Sequence, residues 1–311
     1  MRQVHTVACL AGDGVGPELM AQATRTLRNV ARMHGFAVED VHAPFGSEAL
    51  TRSGHPLPPA TRTAVLDAEA VLVAAVAEPA LDGIAADLDL RARLTRVLLR
   101  SGDVVLASPL DDGAERFAVD LAFRLAGRRR GRVVSVDRDA RWAALVDETA
   151  SRHEDVVVEH ASLGDAVRAL AFGPQELDVV VTSRTIAPAL EELATDGRDC
   201  DRLAAVGLLA ENGPSVFGPA WTESRAEGGQ GVADPGSMLL AVSQLLGEGL
   251  GQAHAADTLA SALRRARAGD ARPSGLVRRT LSASTREVGD AVVSLLPVSH
   301  RNAEFVREAT A

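Results

Sequence analysis

The chain has 311 residues, 46% apolar and 24% charged, enough to bury a large core and more naturally two domains than one, which excludes a disordered protein. A net charge of −9 argues against phosphate-backbone binding as a main role, so no nucleic-acid partner is expected. The two cysteines, Cys9 and Cys200, lie far apart without metal-like spacing; that excludes a disulfide framework and fits free thiols in a reducing, cytoplasmic setting.

Taken in chain order, apolar runs suited to strands alternate with segments of helical period. Residues 4–10 read as a first strand and 17–34 as a helix, followed by a strand at 37–42, a helix at 60–67 and a strand at 70–76. The first run has no small-residue cleavage site behind it, so no signal peptide is expected. The longest apolar stretch, 70–86, is interrupted by Glu78, Pro79 and Asp82 and is too short to span a bilayer. Next come a helix at 88–99, a strand at 104–107, a helix at 114–125 and a strand at 132–136. Arg128, Arg129, Arg130 and Arg132 follow an apolar helix, where they suit its C-terminal dipole better than a bound anion. A helix at 141–152, a strand at 155–159, a helix at 163–171, a strand at 178–182 and a helix at 187–195 continue the alternation. Beyond them, 213–218 and 228–231 read as glycine-rich loops, and helices lie around 235–246, 255–268 and 285–296. The pattern is that of an α/β protein with a mostly parallel sheet and crossover helices. Hinges are placed near 108–113 and 196–210. They divide the chain into a discontinuous domain 1, residues 1–107 plus 205–311, and a domain 2, residues 108–204.

Two absences constrain chemistry. All 33 basic residues are arginine, and tyrosine is missing altogether, so the chain alone supplies neither a phenol nor a side-chain primary amine.

After the first strand comes Ala11-Gly12-Asp13-Gly14-Val15-Gly16-Pro17-Glu18. The glycines permit positive φ, and Pro17 suits the start of a helix because its missing N–H needs no partner there. With Pro17 in place of a third glycine it is not the dinucleotide fingerprint. Further pieces follow: Gly54-His55-Pro56-Leu57-Pro58, the run from Val71 to Val76, Arg132-Val133-Val134-Ser135-Val136-Asp137, Leu177-Asp178-Val179-Val180-Val181-Thr182, Gly231-Val232-Ala233-Asp234-Pro235, and Ser284-Thr285-Arg286-Glu287-Val288-Gly289-Asp290-Ala291. In this order the set resembles the isopropylmalate/isocitrate dehydrogenase family over nearly the whole chain. The resemblance implies that family's two-domain fold, a homodimer joined through the helices at 163–171 and 187–195, and oxidation of a 2-hydroxy acid by NAD(P) with subsequent decarboxylation.

Such a reaction needs a divalent cation to stabilise the enolate, arginines to grip carboxylates, and a proton donor and acceptor, which the resemblance implies are a tyrosine and a lysine. By the resemblance the lysine position is Arg138, a candidate catalytic residue that stays protonated and so can stabilise charge but not act as a base. The aspartate that opens a following helix falls on Gly164, with Asp165 beside it as a candidate for the catalytic or metal role. The two metal aspartates fall on Pro188 and Glu192, preceded by Arg184, whose charge opposes a cation; Mg²⁺ or Mn²⁺ is therefore not expected, with Glu192 and Asp165 the remaining candidate ligands. The substrate arginines, aligned on Pro109, fall on Leu98 and Ser108. Arg93, Arg96 and Arg100 lie nearby on the expected helix and are the candidate anion-binding residues, Arg96 and Arg100 sharing a face. The family segment bearing a third arginine, the tyrosine and an intersubunit arm is missing after Pro109.

In the cofactor loop the resemblance puts Trp221 at an adenine-stacking histidine, Ala226 at the ribose aspartate and Asp234 at an adenine-facing asparagine. Trp221, Ser224, Arg225, Gly229, Gly231 and Asp234 are the candidate cofactor residues. Losing the ribose carboxylate removes a charge-assisted hydrogen bond worth about 1.5–3 kcal/mol, so NAD(P) affinity is expected to be weakened. Three functions follow: a non-catalytic binder, regulatory partner or scaffold; an enzyme of altered chemistry or one sharing sites with an intact homologue in a hetero-oligomer; and a working NAD(P)-dependent oxidoreductase acting on a 2-hydroxy acid. Simultaneous loss of nearly every role favours the first.

Overall fold

The structure, a computed structural model, describes residues 3–75, 78–99, 102–137, 139–195, 202–220, 229–269 and 283–297. Its first strand, β1 (Val4–Gly12), pairs in parallel with β2 (Ala37–His42) and β3 (Ala70–Ala75), crossed over by helix α1 (Gly16–His34). All six residues of β3 are buried, which is why its sequence is apolar on both side-chain parities. Between β2 and β3 lie two short helices, α2 (Ser47–Ser53) and α3 (Pro59–Asp67), and α4 (Glu78–Asp87) follows.

A hairpin of two long strands, β4 (Leu90–Leu99) and β5 (Gly102–Pro109), carries the chain across the sheet. The expected helix at 88–99 is therefore wrong. Ala92, Leu94 and Leu98 face one core and Val97 and Leu99 another, so a strand buried on both faces had imitated helical spacing. Then come α5 (Glu115–Gly127), β6 (Arg132–Val136), α6 (Ala140–Ala150), β7 (Val157–Ala161), α7 (Leu163–Phe172), β8 (Val179–Thr182) and α8 (Ala187–Thr195). The strand expected at 155–159 begins two residues later.

The chain returns through β9 (Leu203–Ala210) and β10 (Ser215–Pro219), where a hinge and a glycine-rich loop were expected. Phe217 on β10 explains the nearby glycines. A Cβ on Gly207 or Gly249 would come within 3.0 and 2.9 Å of its ring, so only glycine leaves the aromatic its room. Helix α9 (Gly236–Gln244) runs into a π-helical turn, Leu245–Gly249, and then α10 (Ala253–Ala268) and α11 (Thr285–Ser294).

The described strands form one sheet in the order β2-β1-β3-β10-β9-β4-β5-β8-β6-β7. Pairing is antiparallel at β10–β9, β9–β4 and β4–β5 and parallel elsewhere. One core packs α1, α5, α9 and α10 on one face, while two smaller ones lie opposite, against α3 and α4 and against α7 and α8. No described helix is long and apolar enough to cross a membrane. Cys9 is buried and unpaired, its thiol pushed up to about 12 chiefly by desolvation, which leaves it inert; Cys200 lies outside the described residues.

Candidate functional site

The loop after β1 is shaped by close approach. A Cβ on Gly12, which has φ +68°, would lie 1.6 Å from the carbonyl oxygen of Ala75, and one on Gly16 would lie 1.9 Å from that of Ala11. Only glycine brings the end of β1 against β3 and turns the chain into α1. Asp13 then accepts the Ser47 amide at 2.8 Å, pinning α2 to the loop. Glu18, in the first turn of α1, accepts the Gly229 amide at 2.5 Å and the Thr285 hydroxyl at 3.3 Å. The Thr285 amide in turn donates to the Gly231 carbonyl at 2.8 Å. Gly229 and Gly231, two of the expected cofactor residues, are thus held by α1 and the start of α11. Glu18 was missed as a site-building residue; its signal was its place as the last residue of the glycine-rich motif.

Asp234 accepts the Gly236 amide at 2.8 Å and pairs with Arg267. Trp221, Ser224 and Arg225 lie outside the described residues, as do Arg100 and Arg138.

Two of the candidate anion-binding arginines, Arg93 and Arg96, do not share a face. On a strand, residues three apart point to opposite sides, and Arg93 and Arg96 do so. Arg93 pairs with Glu191 of α8 at 2.8 Å. Burial pushes the Glu191 carboxyl up despite the nearby Arg93 guanidinium. Close by, Arg184 in the turn before α8 pairs with Asp112 in the turn after β5 at 3.2 Å.

Arg96 instead gives Nε and Nη2 to one oxygen of Asp103, at 2.9 and 2.6 Å. The other Asp103 oxygen takes Arg129 Nη2 at 2.7 Å, while Arg129 Nε donates to buried Asp178 at 2.8 Å. The Arg130 amide also donates to Asp178, at 2.9 Å, and its guanidinium reaches the carbonyls of Gln175 and Leu177. Burial alone would raise the Asp103 carboxyl, but the charges of Arg96 and Arg129 hold it well below the usual carboxylate range. Arg129 and Arg130 tie the end of α5 to β5 and to the residue preceding β8.

The residues offered for a divalent cation do not fit one. Asp165, in the first turn of α7, accepts the Ser162 hydroxyl at 2.6 Å and pairs with Arg168 at 3.2 Å, the Ser162 bond lowering its pKa most. Glu192 is exposed on α8, where Pro188 offers no donor. Among the described residues no three His, Cys, Asp or Glu side chains gather closely enough to hold a metal ion.

A mixed sheet ordered in this way, entered through a GDGVGPE loop and carrying a long antiparallel hairpin at its middle, defines the fold class of the β-decarboxylating dehydrogenases. The structure superposes on the apo form of a beta-decarboxylating dehydrogenase from Thermococcus kodakarensis with a TM-score of 0.78 and 20% identity, covering 94% of this chain and 96% of that one. An isocitrate dehydrogenase from Methylococcus capsulatus gives 0.76 at 18% identity, with 94% and 99% covered. The family model for isocitrate/isopropylmalate dehydrogenase matches residues 6–100 and 108–292, so the chain belongs to that family. Among its relatives, the 3-isopropylmalate dehydrogenase of Synechococcus sp. (strain CC9605) is 28% identical over 335 residues, spanning 88% of this chain and 94% of the relative. That of Bacillus anthracis is 29% identical over 300 residues, spanning 79% and 84%.

Proposed function

We propose that this family member does not carry out metal-dependent oxidative decarboxylation by itself and acts as a binding or regulatory partner. What supports this most is the Arg93–Glu191 pair: a guanidinium free to grip a substrate carboxylate is instead matched by a carboxylate of the same chain. The donor set around Pro188, Glu192 and Asp165 argues the same way, since none of it presents converging oxygens to a hard cation. Weakened NAD(P) binding is compatible with the anchoring of Gly229 and Gly231 through Glu18 and Thr285.

The chain is proposed to work in the cytoplasm, where Cys9 stays reduced, as a homodimer or beside an intact homologue. Leu163 and Val167, one turn apart on α7, are each 38% exposed, an apolar pair on one helix face of the kind that a partner covers. Hydride transfer to NAD or NADP should be assayed with 3-isopropylmalate, isocitrate and malate in the presence of Mg²⁺ or Mn²⁺. The purified chain should show no turnover, and measurable reduction of either nucleotide overturns the proposal.

A further inference from the structure

A second pocket, on the opposite face of β4 from the Arg93–Glu191 pair, lies where α5 meets the π-helical turn and α10. It encloses about 80 Å³, well above the roughly 10–15 Å³ that a single water requires, so it takes several non-hydrogen atoms. Leu94 and Val105 form an apolar floor, and Gln244, Glu248, Arg128 and Asp257 stand around it.

Its polar groups are unequally satisfied. Arg96 and Arg129 are spent on Asp103 and Asp178, and Ser243 receives Arg96 and donates to the Ala256 carbonyl at 2.9 Å. Gln244, only 3% exposed, donates through its amide nitrogen to the Leu94 carbonyl at 3.3 Å, yet its amide oxygen is buried without a partner. A buried acceptor left in this state is destabilising unless something fills it. Glu248 makes no ion pair with a described residue, and burial raises its carboxyl even though Arg128 and other arginines act to lower it. Arg128 stands at the pocket without an ion pair among the described residues. The turn that carries Glu248 is π-helical, with the Leu250 amide reaching back to the Leu245 carbonyl at 2.9 Å; such turns recur at functional sites.

The paired quartet is electrically neutral, so the remaining lining groups decide what fits: the guanidinium of Arg128, against acceptors at Gln244, Glu248 and Asp257. The geometry points to a site for a small zwitterion, an amino acid with a short side chain, its ammonium on Gln244 Oε1 and Glu248 and its carboxylate on Arg128. A bound molecule would bridge α5 to the α9–α10 pair. This site is separate from the one that carries the proposed function and stands whether or not that proposal holds.

Isothermal titration of the full chain with glycine and alanine tests it, with acetate and methylammonium as single-charge controls. Saturable binding of a zwitterion is expected, at least about tenfold weaker for either control and for Arg128→Ala and Glu248→Gln, each of which removes one charge-assisted contact. No saturable binding by glycine or alanine, equal binding by a control, or undiminished affinity in Arg128→Ala overturns the assignment. So does a crystal soaked with glycine that shows only water between Gln244 and Glu248. Arg128 is exposed, so its removal tests the site even if Glu248→Gln fails to fold.

Discussion

Arg93 and Arg96 sit three residues apart on β4 and do different work on its two faces. The Arg96 side chain is 12% exposed and enters a network in which two arginines share Asp103 and one of them continues to Asp178. That of Arg93 is 30% exposed and meets one carboxylate, Glu191. A buried charge with several converging partners is a cross-link, because losing any member strands the others away from water. A half-open charge with one partner is closer to a binding position that the chain fills for itself.

Breaking the network should have the largest effect. Asp103→Asn strips a carboxylate from between two arginines and is expected to cost about 3–5 kcal/mol, read from urea denaturation. Because its folded-state pKa is depressed, the contribution of Asp103 is complete above the ordinary aspartate value of about 3.9 and is lost as pH falls towards and through the folded value. The gap between wild type and Asp103→Asn should therefore narrow below that pH; a constant gap would mean that the carboxylate charge is not what stabilises the hub.

Glu191→Ala should be milder, about 1 kcal/mol, since burial already penalises the charge it removes. Its informative outcome is binding. With Glu191 gone, Arg93 should accept an external carboxylate, and malate should raise the melting temperature of the variant but not of wild type. No gain would show that Arg93 is as purely structural as Arg96. Least affected should be Arg184→Ala, whose partner Asp112 is 90% exposed: exposed pairs contribute little, and the denaturation midpoint should not move.

Local pattern alone made much of the fold legible. The glycine turn before α1, the doubly buried runs of β3 and β8 and the order of the family motifs are set by backbone sterics and side-chain polarity within a few residues. The absence of lysine and tyrosine was equally legible, because no environment can restore a side chain that the chain lacks. The tertiary structure decided that residues 90–99 form a strand, since an element buried on both faces shows no alternation and its arginines imitate a helical face. It also decided which carboxylates those arginines meet. Glu191 lies 98 residues from Arg93, and Asp178 lies 49 from Arg129; sheet order brings these charges together, and nothing local to either residue specifies the pairing.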